Sequence, residues 1–67
     1  MVNISINDKT YQIEPDSSLH NVLENNHLVS PGIAVAVNEN IISRADWEQT
    51  VIKLNDQILI IKATQGG

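Results

Sequence analysis

The sequence predicts an α+β domain, a single mixed sheet of about five strands with one main helix packed across one face. Three observations carry that expectation. Val2, Ile4 and Ile6 alternate with Asn3 and Ser5, the period-2 pattern of a strand with one buried face. Leu19, Val22 and Leu23 follow the i, i+3, i+4 spacing of a short amphipathic helix. With 67 residues there is room for one core only, and the elements fall in the order β, β, α, β, β, β.

The first strand is predicted over Val2 to Ile6. Asn7-Asp8-Lys9 supplies turn chemistry, and Thr10 to Ile13 alternates again with Tyr11 and Ile13 on one side, so the two strands form a hairpin. Pro15 closes the second strand. Asp16, Ser17 and Ser18 offer N-cap oxygens for a helix from about Ser18 to Asn25. Asn25-Asn26 is the expected stop, since asparagine tolerates the left-handed conformation that ends helices, and Leu28 is placed to pack back on the cap. After Pro31-Gly32, Ile33 to Val37 reads as a third strand, with Ile33, Val35 and Val37 on one face and Ala34 and Ala36 on the other. Asn38-Glu39-Asn40 turns into a short strand at Ile41 to Ser43, and Leu54-Asn55-Asp56 introduces the last strand, Gln57 to Ala63.

Composition limits the function classes. A chain this small has no room for an enzyme with its own cleft. It lacks cysteine altogether, which excludes disulfides, thiolate metal sites, iron-sulfur clusters and a thiol nucleophile. Eight acidic residues against four basic ones would repel a phosphate backbone, and Tyr11 and Trp47 are the only aromatic rings, so no nucleic-acid partner is expected. Met1-Val2-Asn3-Ile4 lacks a basic, then apolar, leader, and no run is long enough to span a bilayer, so no membrane association is expected and the cytoplasm is the expected compartment.

The last strand breaks the alternation of the first. Ile58, Leu59, Ile60 and Ile61 are all apolar, whereas a sheet covered by a helix on one face should show polar residues on the other. If Ile58 and Ile60 face the helix, Leu59 and Ile61 lie on the open face near Ala34 or Ala36, as an apolar patch of the kind that marks protein contacts. The other reading covers that face with a loop, for which the Trp47 segment is the candidate.

Beyond that strand the chain ends in Gln65-Gly66-Gly67. Two successive glycines at a terminus arise by chance in about one chain in two hundred. A diglycine end is narrow enough to thread into another protein's active site and present only a carboxylate. An α-carboxyl group, with an unperturbed pKa of about 3.3 to 3.7, is ionised at neutral pH and resists nucleophilic attack. Reaction with ATP would make it an acyl adenylate, open to sulfur, an amine or a thiol, with Mg and phosphate-binding groups stabilising the departing pyrophosphate. No phosphate loop is present in this chain, so that machinery belongs to a partner, and the body of the domain is the handle the partner grips.

At this point the residues resemble a family. The opening strand with its Asn7-Asp8 turn, the helix around Leu19-Val22-Leu23, Ala34-Val35-Ala36-Val37-Asn38, Ile41-Ile42-Ser43-Arg44, Trp47, Leu54-Asn55-Asp56 and Gln65-Gly66-Gly67 are similar, in this order, to the ThiS family. ThiS proteins are small sulfur carriers of thiamine biosynthesis with the β-grasp fold of the ubiquitin-like superfamily. Two positions depart from the family pattern: Asn55 stands where Gly is common and Ser43 where Pro is frequent, and asparagine accepts similar turn dihedrals.

The resemblance implies a β-grasp domain over residues 1–63 and a flexible diglycine tail at 64–67. It implies that a ThiF-type enzyme adenylates Gly67 with ATP and Mg, with Gly66 and Gln65 threading the tail. Sulfur drawn ultimately from cysteine through a desulfurase-type donor then converts Gly67 to a thiocarboxylate. Thiazole synthase receives that sulfur to build the thiazole phosphate. On this reading the chain is a cosubstrate with no catalytic residue, no metal and no bound cofactor of its own, and the patch read from the last strand, Leu59 and Ile61 with Ala34 and Ala36, would be its partner interface.

Other residues have plainer readings. Trp47 is expected to cover the edge of the core, the other reading being an interface anchor, since tryptophan is favoured at binding hot spots. His20 and His27, seven apart, would share a solvated helix face, with no carboxylate or cysteine to complete a metal set. Arg44 would pair with an acidic partner residue or with Asp46 or Glu48. Rival functions share the tail: the small subunit of molybdopterin synthase, a ubiquitin-like modifier that joins Gly67 to lysines, or an interaction module whose tail is inert.

Overall fold

In the computed structural model, which describes residues 1–62, the chain forms one five-stranded sheet in the order β2-β1-β5-β3-β4. The strands are β1 (Val2–Ile6), β2 (Lys9–Ile13), β3 (Ile33–Val37), β4 (Asn40–Ile42) and β5 (Gln57–Lys62), and the helix is α1 (Leu19–Asn25). β1 and β5 lie parallel at the centre and every other pairing is antiparallel, which makes the sheet mixed as expected.

Both hairpins close through two-residue turns with φ positive at each central residue, Asn7 (50°) and Asp8 (69°) in one, Asn38 (50°) and Glu39 (74°) in the other. That is the turn whose twist matches a right-handed strand pair, and it favours Asn and Asp over bulkier side chains. It also shifts two strand boundaries: Lys9 pairs with Ile6, and Asn40 with Val37, so β2 and β4 each start a residue earlier than expected. β5 is described to Lys62; the expected end at Ala63 lies outside the described residues.

Ser18 caps α1, its hydroxyl accepting from the Asn21 N–H at 3.1 Å, so the helix proper begins at Leu19. At the other end the His27 N–H donates to the Glu24 carbonyl (3.1 Å) and the Leu28 N–H to the Leu23 carbonyl (2.8 Å), the paired bonds of a Schellman motif. The left-handed residue is therefore His27, with φ of 58°, and not an asparagine. His27 lies beyond the helix, so it shares no helix face with His20, which instead sits 3.5 Å from Glu24.

Between β4 and β5 lies a 3-10 helix, Arg44–Gln49, whose sequence shows no apolar period. It packs beside α1, and the strand-like stretch after it clamps the helix start: Leu19 N–H donates to the Thr50 carbonyl (2.7 Å) and Ile52 N–H to that of Ser17 (2.8 Å). Ile4, Ile6, Ile13, Leu19, Val22, Leu23, Val35, Val37, Trp47, Ile52 and Ile58 make one buried core between the sheet and this helical layer. Trp47 is 2% exposed, and its indole N–H donates to the Ile42 carbonyl at 3.0 Å. No helix among the described residues is long and apolar enough to cross a membrane.

Candidate functional site

The site is the far end of β5 and the two surfaces that flank it. Ile58 and Ile60 point to the helix side, 58 fully buried and 60 packed against the core, so the alternation of the strand forces Leu59 and Ile61 onto the opposite face. Leu59 is 49% and Ile61 46% exposed there. The Trp47 segment packs on the helix side and leaves this face open, so the loop-covered reading does not apply.

Register assembles the rest of the patch. Leu59 lies opposite Ala36, and Ala36 opposite Ile41, a row across three strands; Ile61 lies opposite Ala34 in the next row. Ala36 is 5% exposed although it faces outward, because the larger Leu59 and Ile41 stand on either side of it. Ile41, 67% exposed, is the member that sequence reasoning missed. Assigning Asn38-Glu39-Asn40 as a three-residue turn hid its register, whereas a two-residue turn places Ile41 beside Ala36 by counting. The other half of this face is polar, with Ser5 opposite Thr10 and Asn3 opposite Gln12. Asp8 and Glu39 flank Leu59 in a shallow depression of about 210 Å³, which gives the apolar patch an acidic rim.

Side-chain amides hold β5 in place. Asn38 accepts from the Gln57 N–H at 3.0 Å and donates to Asp56 at 2.9 Å, and the second oxygen of Asp56 accepts from the Lys53 N–H at 2.8 Å. These bonds fix the entry to the strand. Asn55, where the family pattern commonly has Gly, has φ of 69°, a conformation asparagine adopts with less strain than most residues. Ser43, where Pro is frequent, has φ of −66°, within the range a proline ring imposes. Both departures therefore leave the backbone path intact.

Arg44 makes neither of the expected pairs with Asp46 or Glu48. Its guanidinium donates to the Ser30 carbonyl at 2.8 Å and lies 4.5 Å from the centre of the Trp47 ring, tying the loop before β3 to the 3-10 helix. Among the described residues no group of His and carboxylates is arranged to hold a metal ion. Gln65, Gly66 and Gly67 lie outside the described residues, and Lys62 is the described residue nearest to them.

A helix gripped by a mixed sheet with parallel central strands, and a terminal strand that leads out beside an open apolar face, is the β-grasp arrangement of ubiquitin-like carriers. The sequence matches the ThiS family over residues 4–67, and the chain belongs to that family. It is 33% identical over 64 residues to the sulfur carrier protein ThiS of Escherichia coli K12, spanning 96% of this chain and 97% of that one. Its fold superimposes on the crystal structure of the thiamine biosynthesis protein ThiS from Geobacter metallireducens with a TM-score of 0.86, at 17% identity, covering 98% of this chain and 100% of the other. The role that follows from family membership is that of a sulfur carrier in thiamine biosynthesis.

Proposed function

We propose that this chain carries sulfur as a thiocarboxylate on Gly67 and delivers it for construction of the thiazole ring of thiamine. The observation that supports this reading is the match to the ThiS family through residue 67, which takes in the whole Gln65-Gly66-Gly67 end. The geometry of the body suits it, since β5 runs toward that end beside an apolar face that no other described residue covers.

The chemistry is a two-step acyl exchange. A partner of the adenylating type binds ATP and Mg; the Gly67 carboxylate attacks the α-phosphorus, and pyrophosphate leaves. A sulfur nucleophile at the oxidation level of hydrosulfide then attacks the acyl carbon and displaces AMP, leaving the thiocarboxylate. The body of this chain contributes recognition and no catalytic group, and glycine at both final positions keeps the acyl carbon free of side chains that would block the partner's site. The sulfur donor is of the cysteine desulfurase type, which holds sulfur as a persulfide. A second thiol of the partner machinery reduces it by two electrons, becoming a disulfide as the sulfur is released at the hydrosulfide level. The acceptor is a thiazole synthase. Leu59, Ile61, Ala34, Ala36 and Ile41 form the surface on which these partners dock, and the acidic rim of Asp8 and Glu39 fits basic side chains around an apolar pad.

The test is the intact mass of the protein after incubation with ATP, cysteine and a lysate of its own cells, beside a version lacking Gly67. The expected result is the mass gained when one oxygen is exchanged for sulfur, seen only with Gly67 present. An unchanged mass in a lysate that converts a known carrier would overturn the reading, and conjugates of higher mass that vanish without Gly67 would mark a protein modifier instead.

A further inference from the structure

The helix side of β5 carries a second surface, opposite in charge to the first. Between β1, β2, β5 and the loop that follows α1 lies a concavity of about 530 Å³, lined among others by Lys9, His27 and Lys62. The chain has a formal net charge of −4, yet two of its four Lys and Arg residues and one of its two His line this groove, and none of its eight acidic residues does. Neither lysine has an ion-pair partner among the described residues, where the single pair is His20 with Glu24. The floor is apolar, built from Ile6, Leu28 and Ile60, and Tyr11 lies at its side.

Two local details keep the groove attractive to anions. The carbonyls of Leu23 and Glu24 in the last turn of α1 are taken by the Leu28 and His27 N–H groups, so the helix end does not offer these oxygens to repel a negative group. Arg44 fixes Ser30, another lining residue, through its carbonyl, which holds the loop side of the groove in place.

We propose that this groove is a docking site for an acidic segment, with Asp or Glu side chains beside an apolar residue, on the protein that adenylates the tail. The proposal rests on the carrier reading above. Lys62 is at once a lining residue and the last described residue of β5, so a partner that encloses the chain beyond it meets both sides of the strand. On one side it meets an apolar patch with an acidic rim, on the other an apolar floor with a basic rim. Opposite charge requirements on the two sides fix which way round the carrier sits. That is the use to which charge is best put at an interface, orientation and rate of encounter.

The experiment uses the full chain and the purified adenylating enzyme of the same organism. Affinity is measured at low and moderate salt for wild type, for the pair Lys9→Glu with Lys62→Glu, for the milder pair Lys9→Gln with Lys62→Gln, and for Leu59→Glu. A carbodiimide, which joins ammonium groups to carboxylates they touch, is applied to the wild-type complex. The expected result is at least a tenfold loss of affinity for the Glu pair and a smaller loss for the Gln pair. The salt dependence should flatten in both, and amide links should run from Lys9 or Lys62 to Asp or Glu of the enzyme. If the Glu pair does not fold, the Gln pair and the cross-links decide alone.

Wild-type affinity and salt dependence in a folded double variant would overturn the proposal, with Leu59→Glu still defective showing that the carrier reading itself stands. Links from these lysines to acidic residues of a second copy of this chain would reassign the groove to self-association, and saturable binding of inorganic phosphate or pyrophosphate there would reassign it to a small anion. No binding by wild type would sink the carrier reading and this proposal together.

Discussion

The side-chain amide of Asn7 pairs with the backbone of Ile60 at both ends, accepting from its N–H at 2.8 Å and donating to its carbonyl at 3.4 Å. The Asn7 N–H also donates to the Ile58 carbonyl at 2.9 Å. β1 has already turned away at Asn7, so the amide stands in for the peptide unit that a longer β1 would have offered and carries the parallel pairing along β5 as far as Ile60. It anchors the strand just before the residues that bear the proposed chemistry.

Replacing Asn7 by glycine isolates that role, because glycine keeps the positive φ the turn needs and removes only the amide. Asn7→Gly is expected to cost about 1 kcal/mol of stability. Faster hydrogen exchange at the Ile60 amide should accompany the loss, with exchange in β2 and β3 unchanged. Equal protection at Ile60 in both proteins would show that the side-chain pairing contributes nothing.

His27 occupies a left-handed position with φ of 58°, where a residue bearing a Cβ is strained by roughly 1–2 kcal/mol. His27→Gly relieves the strain and gives some of it back as chain entropy in the unfolded state. A net gain of about 0.5–1 kcal/mol, read as a higher denaturation midpoint with an unchanged m-value, is the expected result. A loss of stability would mean that the imidazole makes a contact worth more than the strain it carries.

How much of this was legible in the chain depends on whether the signal was local. β1, β3 and the apolar face of α1 follow from periodicity alone, since each shows its buried side within a few residues. The anomalous run Ile58 to Ile61 marked a second apolar face but left two readings of it, an open patch or a face covered by the Trp47 loop, because what lies over a strand is set by long-range packing. The exposure of Leu59 and Ile61 decides for the patch. Ile52 and the 3-10 helix were not legible: Val51, Ile52 and Leu54 stand together in sequence without an alternation that tells buried Ile52 from its exposed neighbours, and one tryptophan in Arg44–Gln49 makes no period. Their burial is set by long-range pairing, the Ser18 to Val51 bridge above all. The basic groove was equally hidden, as Lys9, His27 and Lys62 are far apart in sequence and only the parallel placing of β1 and β5 brings them together.

Trp47 tests how thin the margin of this domain is. A core of this size supplies no more than about 3–5 kcal/mol of net stability, and deleting a buried tryptophan side chain removes about as much. Trp47→Ala should therefore leave an unfolded chain by circular dichroism. Trp47→Phe should fold but lose about 1–3 kcal/mol, since it leaves the Ile42 carbonyl without its indole donor. Arg44→Ala, which removes a stacked cation at the surface, should cost less than either, about 0.5–1 kcal/mol. A folded Trp47→Ala protein would show that the 3-10 segment can collapse onto α1 without its anchor.

Leu59 and Ile41 flank Ala36 from the two neighbouring strands, and both present exposed apolar side chains to the same side. If that row is the docking surface, Leu59→Glu and Ile41→Glu should each leave the melting curve nearly unchanged, because neither residue belongs to the buried core. Each should nonetheless weaken binding to the adenylating enzyme by about tenfold or more, and cut thiocarboxylate formation to match. Because the two sit in one row rather than at distant sites, the double variant should lose less than the sum of the single losses. Val51 and Leu54 are exposed apolar residues outside this patch, and Leu54→Glu serves as the control that should bind as wild type does. Strict additivity of the two changes, or an equal defect in the control, would place the interface elsewhere.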